Sequence, residues 1–149
     1  MSTTDQNLTA QHAEVKAEIA RTDAKTALLL AFVGAVLAGA WTLARGLPLT
    51  PAAYVAGVLG LAHLIAAAGL LLRSVRPNLG GGHGFPLWAT LTPQQIEATA
   101  ATRDLAADIA GLSRLAVAKF TGLRLAVDLT CIGGALLILS AVLALGGAA

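Results

Sequence analysis

Arg21-Thr22-Asp23-Ala24-Lys25 opens directly into TALLLAFVGAVLAGAWTLA, residues 26–44, which carry no formal charge over nineteen positions. As a helix rising ~1.5 Å per residue this run reaches about 28 Å, close to the ~30 Å hydrocarbon core of a bilayer. It is therefore read as a membrane span. Two more apolar runs of spanning length follow, at residues 51–72 and 125–145, the last interrupted only by Asp128 one turn inside its entry. The rest of the chain must be sorted to one side of the membrane or the other.

The composition supports this reading: 56% of the 149 residues are hydrophobic, 12% are charged and the mean hydropathy is +0.75. Such values exclude a disordered chain and an ordinary soluble domain. Three spans leave room for helical extensions and a loop, not for a large soluble catalytic domain, so no enzyme activity is expected. Cys131 is the single cysteine and lies inside the third apolar run, which rules out an intrachain disulfide and a cysteine-rich metal site. Ala38-Gly39-Ala40 has the look of a signal-peptide cleavage site. The segment before the span carries Asp5, Glu14, Glu18 and Asp23, however, and is long and mixed in charge, so a retained signal-anchor is expected instead.

Along the chain, residues 1–6 are polar and expected to fray. From Asn7 or Thr9 a helical pattern begins, with Leu8, Val15, Ile19 and Thr22 near one face and Glu14, Lys16, Glu18 and Arg21 elsewhere. No glycine or proline interrupts it, so residues 7–25 form an extension continuous with span one, 26–44. Residues 45–51 hold one glycine and two prolines and read as a tight hairpin, with Thr50 as N-cap and Pro51 at the first position of span two, 51–72. Ala52, Ala56 and Gly60, with Ala53 and Gly57 beside them, make a small-residue ridge suited to close helix packing, and Gly34 and Ala38 offer a matching pair on the first span. Residues 73–92, containing Gly80-Gly81-Gly82-His83-Gly84-Phe85-Pro86, read as a loop. Thr92-Pro93-Gln94-Gln95 then predicts a capped helix start. Leu105, Ile109, Leu112, Ala116, Phe120 and Leu123 recur at helical spacing, with Asp104, Asp108, Arg114 and Lys119 mostly away from them, so residues 93–124 read as an amphipathic helix running unbroken into span three, 125–145.

With the N-terminus inside, nine basic residues (Lys16, Arg21, Lys25, Arg73, Arg76, Arg103, Arg114, Lys119 and Arg124) are cytoplasmic and Arg45 alone is outside. The positive-inside rule then orients it as a multi-pass membrane protein with a cytoplasmic N-terminus and an external C-terminus, expected in the plasma membrane. The fold class is all-α: an integral membrane protein with three transmembrane helices and two parallel cytoplasmic helical extensions, which pack as a stalk through the Leu8 and Leu105 stripes. A homo-oligomer in the bilayer is expected from the small-residue faces.

Four residues, Asp23, Lys25, Arg124 and Asp128, fall near one depth at the span entries. They read either as interface anchors with snorkelling side chains or as an interhelical latch, and Asp128 is the member that anchoring explains least. His63, twelve residues into span two, is an intramembrane polar residue; it either serves a pore or bonds across to the first helix, at Thr42 or a backbone carbonyl. The Gly80–Gly84 run is either a plain linker or a place where backbone N–H groups meet a phosphate. In the latter case Arg73, Arg76 and Arg103 are the counter-charges and Phe85 or Trp88 the stacking platform. No catalytic constellation and no metal-ligand cluster is present in the sequence, and no nucleic-acid partner is expected.

Three stretches carry a family resemblance: Ala20-Arg21-Thr22-Asp23-Ala24-Lys25 before the first span, Arg73-Ser74-Val75-Arg76-Pro77 after the second, and Leu115-Ala116-Val117-Ala118-Lys119-Phe120 with Leu123-Arg124 before the third. On these the chain resembles the Pycsar effector family of small bacterial membrane proteins, over about residues 7–145. The resemblance implies antiviral defence: a partner cyclase senses phage and makes cyclic UMP or cyclic CMP, and the effector responds by compromising the inner membrane. No protein cofactor is implied beyond that activating nucleotide. The alternative is a non-catalytic scaffold, for instance a plasmid-transfer membrane protein that binds partner proteins through its cytoplasmic helices.

Overall fold

The computed structural model describes residues 2–46, 50–76, 85–102 and 104–147. The described residues are all-helical, 91% helix with no strand among them. Its elements are α1 (Thr3–Ala44), α2 (Pro51–Val75), α3 (Phe85–Trp88), α4 (Pro93–Ala101) and α5 (Leu105–Gly146). Of these, α1, α2 and α5 are long and apolar enough to cross a membrane.

The helix ends follow from side chains that satisfy otherwise orphaned backbone groups. At the start of α1, Asp5 N–H donates to Ser2 Oγ at 3.2 Å while Ser2 N–H donates to the Asp5 carboxylate at 3.0 Å. This reciprocal box, with an acidic side chain at the positive end of the helix, carries α1 back to Thr3, ahead of the expected start at Asn7 or Thr9. On α2, Ala53 N–H donates to Thr50 Oγ1 at 3.2 Å, so Thr50 caps as expected. The far end of α2 passes residue 72 and takes Arg73 into its last turn, where a cation meets the negative helix end. Residues 47–49 of the expected hairpin lie outside the described residues.

The expected unbroken helix from Pro93 is not formed. Thr92 and Gln95 make the capping box, but α4 stops at Ala101, and Asp104 Oδ1 accepts from the N–H groups of Ala106 and Ala107 at 2.9 and 3.1 Å to start α5 afresh. An aspartate that offers itself as an N-cap competes with helix continuation, and here the cap wins. Once started, α5 runs without a break through Gly111, Gly122, Gly133 and Gly134. The expected loop over 73–92 likewise contains a helical turn, α3.

Two compact units divide the chain, Met1–Ile19 with Arg76–Ala116, and Ala20–Val75 with Val117–Ala149. In the first, Leu8, Val15 and Ile19 of α1 and Leu105, Ile109 and Leu112 of α5 are half-buried, and no described residue is fully buried. The second is a three-helix bundle whose core is Val33, Leu64, Leu71 and Ala126. Here Ser140 Oγ donates to the Ala53 carbonyl at 2.6 Å. Further along, a Cβ built on Gly60 would sit 2.9 Å from the Gly133 carbonyl oxygen, and one on Gly133 equally close to that of Gly60. Numbers rise on α2 as they fall on α5, so these helices are antiparallel. Near the other end of the bundle, Asp23 of α1 meets Lys119 of α5, while Ala44 and Ala144 line one groove at the opposite end, which makes α1 and α5 parallel.

Ala53, Gly57 and Gly60 of the small-residue ridge therefore meet α5, while Ala52 is exposed. Gly34 has nothing within 4 Å of a built Cβ, and Gly34 and Ala38 are both exposed, because α1 turns Thr22, Thr26 and Val33 inward and Gly34 lies about 100° round from Val33. With no hydrophobic force between helix and lipid, van der Waals contact at this glycine pair is a main source of cohesion. Gly60→Val or Gly133→Val is expected to destabilise the folded bundle by about 1 to 3 kcal/mol through overpacking against backbone. Ser140→Ala, which removes one interhelical hydrogen bond, should cost about 0.6 to 1.7 kcal/mol. Unfolding in mixed micelles, followed by circular dichroism, checks both and their order.

Candidate coupling site in the membrane bundle

At the level where the apolar part of α1 begins, Lys119 Nζ lies 2.6 Å from Asp23 Oδ1, a charge-assisted hydrogen bond joining α5 to α1. The lysine side chain is 20% exposed and the aspartate 42%, so the pair is partly shielded from water. Thr22 and Thr26 beside it are buried, and Thr26 Oγ1 donates back to the Thr22 carbonyl at 2.8 Å, which satisfies its hydroxyl within the helix. A short, partly desolvated ion pair between parallel helices fixes their axial register.

The amphipathic reading put Phe120 on the inner stripe and Lys119 among polar residues that mostly lie away from it. In the structure Phe120 is 39% exposed and Lys119 turns inward. The reason is the aspartate on α1, which a single-helix periodicity cannot see. A signal did exist: Lys119 precedes the buried Ala126 and Gly133 by seven and fourteen residues, which puts all three on one helix face.

The other expected members of the charged level are placed as follows. Lys25, Arg124 and Asp128 are exposed, and among the described residues Asp23 pairs with Lys119 and with none of them. His63 is half-buried on α2, and its Nδ1 lies 2.8 Å from the Leu59 carbonyl oxygen, so the ring donates into its own helix. The expected bond across to α1 is not formed, and Thr42 Oγ1 donates to the Ala38 carbonyl at 3.0 Å instead. An i→i−4 carbonyl is always within reach of such a side chain and needs no second helix. Arg73 lies in the last turn of α2, Arg76 follows that helix, and Trp88 ends α3, all exposed. The Gly80–Gly84 run, the Phe85 side chain and Arg103 lie outside the described residues.

Two features went unread in the sequence. Arg45 stacks its guanidinium 5.0 Å from the centroid of the Trp41 ring, four residues earlier. At the same end of the bundle, a half-open apolar groove of about 570 Å³ runs between the three helices, lined among others by Val36, Leu43, Tyr54, Gly57, Leu137 and Ala141. Its lining carries no charged side chain, so it does not suit a phosphate-bearing ligand. It does leave the end of the bundle near Ala44 and Ala144 less filled than the half around Leu64 and Leu71.

Three apolar helices of spanning length define a multi-pass helical membrane protein. Residues 7–146 match the family model described as the Pycsar effector protein domain, and the chain belongs to that family. Membership makes it a transmembrane effector of cyclic-nucleotide antiphage defence, in a family that is not a known enzyme class. No curated protein and no solved structure matches the chain.

Breaking the pair tests its structural weight. Asp23→Asn and Lys119→Met should each destabilise the bundle by about 1 kcal/mol or less, given the partial exposure of the carboxylate. In a double-mutant cycle the two losses should fall short of additive by a comparable amount. Exchanging the two residues, Asp23→Lys with Lys119→Asp, should restore most of the stability lost in either single reversal.

Proposed function

We propose that this protein responds to a cyclic pyrimidine nucleotide, cyclic UMP or cyclic CMP, by impairing the integrity of the inner membrane. The observation that carries the reading is the family match over residues 7–146, nearly the whole chain, on a bundle of three spanning helices. The protein acts without catalysis, and its functional partner is the cyclase whose product it receives. Its N-terminus faces the cytoplasm and its C-terminus the outside, a topology supported by the gathering of basic residues at the span ends that flank residues 25, 73 and 124.

In this reading the regions 7–25, 73–92 and 93–124 receive the ligand, with Arg73, Arg76, Arg103 and Trp88 as its contacts. Both α1 and α5 extend unbroken from the first compact unit into the second, and helices carry displacement along their length. The level of Asp23, Lys25, Arg124 and Asp128, now with Lys119, couples the ligand to the bundle, and the face of Gly60 and His63 rearranges. The ligand drives this only by binding the rearranged state more tightly; moving an equilibrium from 1:99 to 99:1 takes about 10⁴-fold preference. Self-association in the bilayer completes the disruption.

Purified protein in dye-loaded liposomes, given cyclic UMP, cyclic CMP, cyclic AMP and cyclic GMP in turn, tests the reading. Release is expected with one cyclic pyrimidine and not with the purines. Silence with all four, in vesicles where the protein is folded and inserted, would remove direct sensing. Trp88→Ala should raise the nucleotide concentration needed for half-release by about tenfold, the size of one lost stacking contact.

A further inference from the structure

The core-facing line of α5 runs through Ala126, Thr130, Gly133, Ser140 and Ala144. Asp128 stands two residues past Ala126, about 200° round the helix, and so points directly away from the bundle. Arg124 is on the same outward face, one turn earlier, and both side chains are exposed. Neither makes an ion pair or hydrogen bond with a described residue of its own chain. Asp128 is eighteen residues from the end of α5 at Gly146, a rise of about 27 Å, which sets its carboxylate at the edge of the hydrocarbon. An ionisable side chain at that depth, facing outward, calls for a partner. Arg124 of the same helix is a poor one, because a base placed four residues before an acid is the weaker order for such a pair.

The outward face is also continuous along the helix. Thr121, Arg124, Asp128, Cys131, Ala135 and Ile138 follow one another at alternating steps of three and four, all exposed. Alternation of three and four is the heptad seam that two helices share when they pack along their length. Every copy inserted in a membrane with one topology presents this seam parallel and in register. Under a two-fold axis along the membrane normal each residue lies level with its own copy, and the acid of one helix reaches diagonally, one turn away, to the base of the other, in both directions.

The geometry points to an interface between two copies of this chain along the outward face of α5, with Asp128 of one copy paired to Arg124 of the other in both directions. The inference rests on the self-association in the reading above and deepens it by naming the surface. The two ion pairs fix the axial register, as a polar residue in a heptad seam does, and the apolar positions beyond Cys131 supply the packing. Cys131 lies on the seam one turn past Asp128, so the two native thiols of such a dimer face each other near its axis.

The full chain in dilute phosphatidylethanolamine and phosphatidylglycerol vesicles, oxidised with copper phenanthroline, tests this directly. A disulfide-linked dimer on a non-reducing gel is expected for the natural sequence and absent from Cys131→Ser. Asp128→Asn should lower the dimer yield about threefold or more, the range of an interhelical polar contact in a membrane. Arg124→Asp should abolish it, and Arg124→Asp combined with Asp128→Arg should restore it. No dimer from the natural sequence overturns the interface, and so does a yield indifferent to these changes. Equal crosslinking of Val127→Cys in the Cys131→Ser background also overturns it, because residue 127 lies off the seam. Nucleotide-triggered dye release from the same vesicles keeps the two readings apart: release without crosslinking sinks the interface alone, and crosslinking without release upholds the interface while removing direct sensing.

Discussion

Backbone contact between Gly60 of α2 and Gly133 of α5 sets the distance at which the bundle can close. A side chain at either position would meet a carbonyl oxygen before the helices reached their packed spacing. Because the glycines allow that approach, Ser140 comes within hydrogen-bonding distance of the Ala53 carbonyl, and Leu64 and Leu71 reach Val33 and Ala126. In lipid, where apolar area alone gives no reason for helices to associate, this short contact takes the place that a large hydrophobic core has in a soluble domain.

The bundle is uneven along its axis. Near Asp23 and Lys119 it is tied by charge, around Leu64 by interlocked side chains, and beyond Gly57 it opens into an apolar groove. Such a gradient gives a membrane protein a held end and a yielding end.

The spans were legible because twenty or so apolar residues in a row have few other fates, and the caps at Thr50 and Thr92 were legible because hydroxyl, proline and spacing all agree. The Ser2 and Asp5 box was passed over, since a polar N-terminus reads as frayed unless the two residues are considered as partners. Lys119 was grouped with the polar residues for a related reason: a lysine among polar neighbours reads as solvated, and only the aspartate ninety-six positions earlier turns it inward. The ridge of Ala52, Ala56 and Gly60 announced a close approach without naming the helix that would make it. His63 could bond to its own helix or to another, and only relative helix rotation decides between those. For Lys119, the ridge and His63 the missing information was tertiary, a matter of which face met which.

Lys119 and Gly133 are fourteen residues apart, two heptads, and both face inward, one to Asp23 and the other to Gly60. Inserting or deleting a single residue between them would swing one contact about 100° away from its partner. Adding or removing seven would restore the rotation, yet displace the ends by about 10 Å and leave the span mismatched to the bilayer. Between these two contacts the chain is therefore frozen in length while its side chains stay free to vary. Descendants of this sequence should diverge there by substitution alone, and keep their gaps for the stretches that join the helices.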